Sequence, residues 1–103
     1  MTPEGYVLND ILNYLKSLKS LGLPLMYERR SAGGFNYKKG ISDIYAVFNG
    51  RHIEIEVKRA DGRQSVMQEK WENICKSINI PYILTNDIDD FKQKFLKLIE
   101  SYI

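Results

Sequence analysis

The feature that most constrains this fold is the dipeptide Asn49-Gly50, which separates two segments of alternating apolar and polar residues. The segments cover residues 41–48 and 51–58. Asn-Gly is the strongest short sequence signal for a two-residue β-hairpin. The two segments are therefore predicted to be antiparallel neighbours, in which residues whose numbers sum to 99 lie roughly opposite each other.

The rest of the chain supplies three helical patterns and two further strands. The predicted order is α-β-β-β-α-β-α, with elements at 2–20, 25–30, 41–48, 51–58, 65–79, 81–85 and about 85–102. Residues 31–40 are predicted to form a polar loop. The second helix carries an apolar stripe that is expected to face the core: Met67, Trp71, Ile74, Cys75 and Ile78. We predict one α/β domain over residues 1–103, a mixed central sheet flanked by helices.

Composition restricts the class of protein without identifying its function. The chain has 103 residues, 44% of them hydrophobic, and a formal net charge of +2, which by itself does not indicate a nucleic-acid partner. Its one cysteine, Cys75, cannot form an internal disulfide. Because no membrane span or secretory signal is visible, a cytoplasmic protein without a membrane partner is expected.

The second strand of the hairpin places charged residues where a small domain usually needs apolar ones. Strand alternation puts its apolar residues on one face and, on the other, His52, Glu54, Glu56 and Lys58. In one interpretation this second face is solvated and the charges only solubilise it. In the other it opens on a cleft, where Glu56 would bind a ligand and Lys58 would be its cationic neighbour.

The hairpin register brings a second carboxylate to the same place. Asp43 is predicted to lie opposite Glu56, and like charges in that position are unfavourable unless a cation separates them. A divalent cation would remove the conflict, since hard cations prefer carboxylate oxygens. Glu4 lies at the N-terminal end of the apolar stripe of the first helix and is a candidate third ligand, whereas Asp10 falls on the wet side. Glu4 is equally compatible with a simple interaction with the helix dipole.

This arrangement suits phosphodiester hydrolysis. Mg²⁺ or Mn²⁺ held by Asp43 and Glu56 would polarise a phosphoryl oxygen and lower the pKa of a bound water. Lys58, on the same face as Glu56, would orient that water or neutralise developing negative charge. The E-x-K spacing alone is a weak signal, and Asp43 opposite it gives the pattern its weight.

The sequence resembles the PD-(D/E)XK nucleases, and specifically the small VRR-NUC domains of phage and bacterial origin. The motifs that carry the resemblance are a Gly-x-x-Asp strand at 40–43, the segment Ile-Glu-Val-Lys-Arg at 55–59, an Asp-Gly-Arg turn at 61–63 and Gln68. Glu4 precedes "ILNYL" by the interval usual in the family. Ser42 replaces the proline that commonly precedes the motif aspartate. The likeness covers nearly the whole chain.

The resemblance implies a restriction-endonuclease-like core and a catalytic role for each motif residue. Asp43, Glu56 and Glu4 would bind the metal, together with the backbone carbonyl of Val57, and Asp10 is the fallback for Glu4. Lys58 would be the catalytic lysine, and Gln68 would position the water or Lys58. Members of this kind are expected to form homodimers, which present two sites to a branched substrate.

Basic residues flank the predicted site and would contact DNA phosphates without reading sequence: Arg29, Arg30, Lys38, Lys39, Arg59 and Arg63. We therefore expect a structure-selective DNA endonuclease that acts on four-way (Holliday) junctions, flaps or similar DNA. The first alternative is a non-catalytic domain of the same fold that binds DNA or a protein. The second is a structural α/β domain with a solvated hairpin.

Overall fold

The computed structural model describes residues 2–30, 40–58, 61 and 63–103, and it contains the predicted elements in the predicted order. The helices are α1 (Pro3–Ser20), α2 (Val66–Ser77) and α3 (Ile88–Glu100). The strands are β1 (Leu25–Arg29), β2 (Ile44–Phe48), β3 (Arg51–Val57) and β4 (Tyr82–Thr85). Of the predicted loop at 31–40, residues 31–39 lie outside the described part of the chain.

The strands form one mixed sheet in the order β1-β2-β3-β4. The first two pairings are antiparallel and β3 runs parallel to β4. Ile44 pairs with Ile55, so the predicted sum of 99 is confirmed. Asn49 and Gly50 have φ values of 50° and 81°, the backbone that a two-residue turn demands.

One face of the sheet packs against α1 and α3 and holds the core. The apolar residues of β3 meet the buried stripes of both helices; the cluster includes Ile11, Leu15, Ile53, Ile55, Phe91 and Phe95. The helix starts are capped as the sequence suggests: the Thr2 side chain accepts from Gly5 N, and the Asp87 side chain accepts from Asp90 N. The two capped helices are thereby held over the apolar side of the hairpin.

The opposite face is covered by α2, and here the prediction of an apolar stripe in the core is largely wrong. Only Cys75 of that stripe is fully buried, whereas Met67, Ile74 and Ile78 are 42%, 46% and 62% exposed. Trp71 is half-buried and uses its indole N–H in polar contacts. The reason is that α2 covers a polar sheet face, so its inner side carries hydrogen-bonding groups.

Strand β4 forms one edge of the sheet. The Lys94 ammonium, on α3, donates a hydrogen bond of 2.7 Å to the backbone carbonyl of Leu84 in this strand. The same ammonium lies 2.9 Å from the carboxylate of Asp90. The edge is thus covered at this point by a charged side chain of the neighbouring helix.

The α/β class with a mixed sheet flanked by helices is confirmed. Within the described ranges, no helix is both long enough and apolar enough to cross a membrane. The strand order is that of the sequence. On the charged face of β3, Glu54 and Glu56 are buried, whereas His52 is exposed and Lys58 is half-buried, so the interpretation of a fully solvated face is wrong for the two glutamates.

Candidate metal centre

Asp43 and Glu56 lie at the end of the hairpin opposite the turn. Asp43 immediately precedes β2, and its Oδ2 accepts a 2.9 Å hydrogen bond from the backbone N–H of Val57. Glu56, the residue before Val57, is only 1% exposed. The hairpin register therefore brings the two carboxylates to one place, as the sequence predicts.

The Glu56 carboxylate is held by two neutral donors. Gln68 Nε2 donates to Oε1 at 2.9 Å and the Tyr82 hydroxyl donates to Oε2 at 3.4 Å. Burial raises the pKa of Glu56 to about 9, and the negative charges of Asp43 and, more weakly, Glu4 act in the same direction. In the described part of the chain no ion pair involves Glu56. Two carboxyl groups thus lie close together with no such ion pair, and Glu56 keeps its proton near neutral pH in the metal-free protein.

Gln68 owes its orientation to the start of α2. It forms a reciprocal capping box with Ser65, in which its Oε1 accepts from Ser65 N and its backbone N–H donates to Ser65 Oγ. The amide nitrogen is then free to point at Glu56. The sequence predicts that Gln68 positions water or Lys58, and the structure places its amide on Glu56.

Glu4 and Lys58 are neighbours at the start of the first helix and just after the end of the third strand. Both line a small cavity of about 40 Å³, together with Pro3, Val7 and Asn86. Glu4 is close enough for its charge to affect Glu56. Lys58 is half-buried and lines this cavity together with Glu4, and its charge acts on Asp90. A place for its ammonium on the same side as the Glu56 carboxylate stays a prediction.

Asp10, the fallback for Glu4, is exposed and lines a separate groove with Asn13 and Ser17. Asp43 lies beside Glu56, and Glu4 is near enough for its charge to act weakly on Glu56; we call these three carboxylates the acidic cluster. Among the described residues no three His, Cys, Asp or Glu side chains are close enough to form a complete metal-binding group. Carboxylate oxygens are the donors that a hard divalent cation prefers, and the pKa of Glu56 is raised first by burial and then by the neighbouring Asp43.

Sequence reasoning missed a second polar network, two residues away along β3. Glu54, 1% exposed, receives both terminal nitrogens of Arg30, at 2.7 and 2.9 Å. Burial raises its pKa, but hydrogen bonds from Arg30, His52 and Ser42 and the Arg30 charge outweigh burial, so the net pKa lies below the usual value. The available signal was a glutamate on the polar face of β3, but its arginine follows β1, two strands away in the sheet, which no local pattern indicates.

The predicted DNA contacts divide into three groups. Arg29 and Arg63 are exposed, at the end of β1 and before α2. Arg30 is instead committed to Glu54, with a side chain only 15% exposed. The remaining predicted contacts lie outside the described residues: Lys38, Lys39 and Arg59.

Comparison with known proteins does not assign this chain to a family. A scan against protein-family models finds no match, and searches of curated proteins and of solved structures find no significant match. A functional proposal therefore depends on the geometry of the acidic cluster and on the sequence resemblance.

Proposed function

We propose that this protein is a divalent-metal-dependent, structure-selective DNA endonuclease of the VRR-NUC type within the PD-(D/E)XK nucleases. The observation that carries the proposal is the acidic cluster itself. A buried glutamate beside an aspartate, with a pKa raised to about 9 and no ion pair among the described residues, is unfavourable for folding alone. Such a site is understandable if a cation binds there.

In this proposal some residues of the site would bind the metal ion, and others would position the ligands or the phosphate. Asp43 and Glu56 would hold Mg²⁺ or Mn²⁺, with Glu4 and the carbonyl of Val57 as further oxygen donors. The ion would supply Lewis acidity toward a phosphoryl oxygen and acidify a bound water. Gln68 holds Glu56 in its orientation through the hydrogen bond of 2.9 Å. Lys58 would offer its ammonium to the negative charge that develops on the phosphate.

The substrate class follows from what the surface offers. Arg29 and Arg63 are exposed, and phosphate contacts of this kind give affinity without sequence readout. We therefore propose that shape, as in four-way junctions or flaps, decides which DNA is cut. A homodimer would place two acidic clusters on one branched molecule.

The test is a panel of labelled DNA structures incubated with Mg²⁺ or Mn²⁺. We expect cleavage by the wild type and a loss of about a hundredfold or more in Glu56→Ala and in Lys58→Ala. Glu4→Gln should raise the Mn²⁺ concentration needed for half-maximal cleavage. Asp10→Asn, which removes an exposed carboxylate from the same helix, is the matched control and should behave as the wild type.

The alternatives give different results in the same assay. Salt-sensitive, metal-independent DNA binding without cleavage would identify a non-catalytic binding domain. Neither binding nor cleavage would leave a structural domain. Cleavage that survives in Glu56→Ala would contradict the proposed site even if the protein is a nuclease.

A further inference from the structure

The buried pair formed by Arg30 and Glu54 is an expensive feature that the proposed chemistry does not use. Taking two charges out of water costs several kcal/mol for each ion, and apolar residues of similar size often serve stability as well. Glu54 is on the same face of β3 as Glu56 and is equally buried. The pair therefore calls for a role other than stability.

The contacts of Arg30 converge on the residue pair that precedes β2. Its backbone N–H donates to the carbonyl of Asp43 at 2.8 Å. Its Nη1 donates to the carbonyl of Ser42 at 3.2 Å, as well as to Glu54. One arginine thus contacts both carbonyls of the segment that carries a predicted metal ligand.

Glu54 contacts the same segment through the side chain of Ser42. The buried Ser42 hydroxyl donates to Glu54 Oε1 at 2.9 Å, and the Trp71 indole N–H donates to the same hydroxyl at 2.8 Å. Since Trp71 belongs to α2, the network ties Ser42 to both the sheet and the covering helix. Ser42 has little freedom to rotate, and Asp43 follows it directly.

Asp43 lies just beyond the β2–β3 pairing, so its position depends on neighbouring contacts. Strand β2 begins at Ile44, so the β2–β3 pairing does not extend to Asp43. Its carboxylate is placed by the hydrogen bond from Val57 N–H, and its main chain by Arg30. A displacement of the peptide would move the carboxylate away from Glu56.

We propose that Arg30 and Glu54 are positioning residues that hold the Ser42–Asp43 peptide, and thereby set the affinity of the acidic cluster for a divalent cation. That the ligand is a metal ion rests on the proposed nuclease function. That Arg30 and Glu54 hold the Ser42–Asp43 peptide rests on the hydrogen bonds alone. Arg30, which the sequence predicts to contact DNA, acts on the site from within. Loss of such supporting contacts typically lowers metal affinity by about 10- to 100-fold.

The test uses two isosteric or charge-preserving variants, Glu54→Gln and Arg30→Lys, in the full chain. Each removes the two-pronged hydrogen bond while retaining size or charge. We expect Mn²⁺ affinity, measured by calorimetry, to fall about tenfold or more in each variant. Cleavage at saturating Mn²⁺ should recover toward the wild-type rate. The matched control is Glu72→Gln, which breaks the Glu72–Lys76 ion pair of 2.7 Å on α2 and should leave Mn²⁺ affinity unchanged.

Amide hydrogen exchange in the metal-free protein separates positioning from simple loss of stability. The Val57 amide donates to Asp43, so it should exchange faster in both variants, while the Ile55 amide two residues earlier stays protected. Equal acceleration at Val57 and Ile55, or none at Val57, overturns the proposal. Accelerated exchange at Val57 alone, with no Mn²⁺ binding by any form including the wild type, supports the positioning of Asp43 but overturns both its link to metal affinity and the nuclease proposal.

Discussion

Two glutamates on the same face of β3 are both 1% exposed, yet they have opposite electrostatic surroundings. Glu54 is held in the charged form by Arg30, so its pKa lies below the usual value despite burial. Burial and the neighbouring charge of Asp43 raise the pKa of Glu56 to about 9. The negative charge of Glu54 is balanced by Arg30 within the protein, whereas Glu56 needs a proton or a metal ion to balance its charge.

The difference predicts a pH dependence for the metal-free protein. Glu56 keeps its proton up to about pH 9 when folded but loses it near the ordinary glutamate pKa of 4.5 when unfolded. Between those values the unfolded state binds fewer protons, so the free energy of unfolding falls as pH rises, by up to about 1.4 kcal/mol per pH unit. Glu56→Gln, which stays neutral, should flatten this slope and be more stable than the wild type at pH 9.

Urea denaturation between pH 5 and 9 in the presence of a chelator measures the effect. The control is Asp10→Asn, an exposed carboxylate whose replacement should leave the slope as it is in the wild type. Parallel pH profiles for Glu56→Gln and the wild type would show that Glu56 is already ionised in the folded protein.

At this scale the sequence predicted Asp43 beside Glu56 because a two-residue turn leaves the register no freedom. It could not predict the partner of Glu54. Arg30 directly follows β1, and the pairing of β1 with β2 depends on packing across the whole sheet, which no local motif encodes. For the same reason Arg30 was expected at the DNA surface.

At the scale of elements, Gly40 controls how closely α2 approaches the segment that leads into β2. Its φ is +84°, and a Cβ placed there would lie 2.5 Å from the backbone carbon and oxygen of Met67. No side chain fits at that distance, because the obstacle is main chain. The glycine of the Gly-x-x-Asp motif thus lets the helix that carries Gln68 settle over Glu56.

Gly40→Ala should therefore destabilise the protein by about 2–4 kcal/mol, combining backbone strain with the displacement of α2. Gly22→Ala is the matched control: its φ is +93°, but a Cβ there meets nothing within 4 Å. It should cost only about 1 kcal/mol. Thermal or urea denaturation of both variants gives the comparison, and equal losses would mean that contact with Met67 is unimportant.

Element boundaries were predictable where caps are explicit, as at Thr2 and Ser65. The burial of α2 was not. Its apolar stripe has the spacing of a core-facing helix, but the sheet face beneath it is polar, so Met67, Ile74 and Ile78 remain partly exposed. The spacing of apolar residues predicts a helix but does not predict whether the surface beneath that helix is apolar or polar.

At the scale of the whole molecule, the small net charge of +2 means that any DNA affinity must come from a local group of basic residues. Arg29 and Arg63, which are both exposed, are the described residues that we propose for that group. We expect Arg29→Ala and Arg63→Ala each to weaken binding to all DNA sequences alike. Each should also reduce the slope of log affinity against log salt by about 1.

Fluorescence anisotropy with labelled junction DNA over a range of salt concentrations measures both quantities. Arg51→Ala is the control, since Arg51 lies beside the hairpin turn, where its guanidinium stacks over the Tyr102 ring at 4.8 Å. A slope change in Arg51→Ala as large as in the other two would place the DNA elsewhere on the surface.

The hydrogen bond from Lys94 to the Leu84 carbonyl affects the tendency of the protein to aggregate at high concentration. An open sheet margin can recruit a fifth strand from another polypeptide and so start aggregation. Here an incoming strand would first have to displace the Lys94 ammonium, which also forms an ion pair with Asp90. At Leu84 this contact therefore protects the β4 edge against pairing with a strand of another molecule.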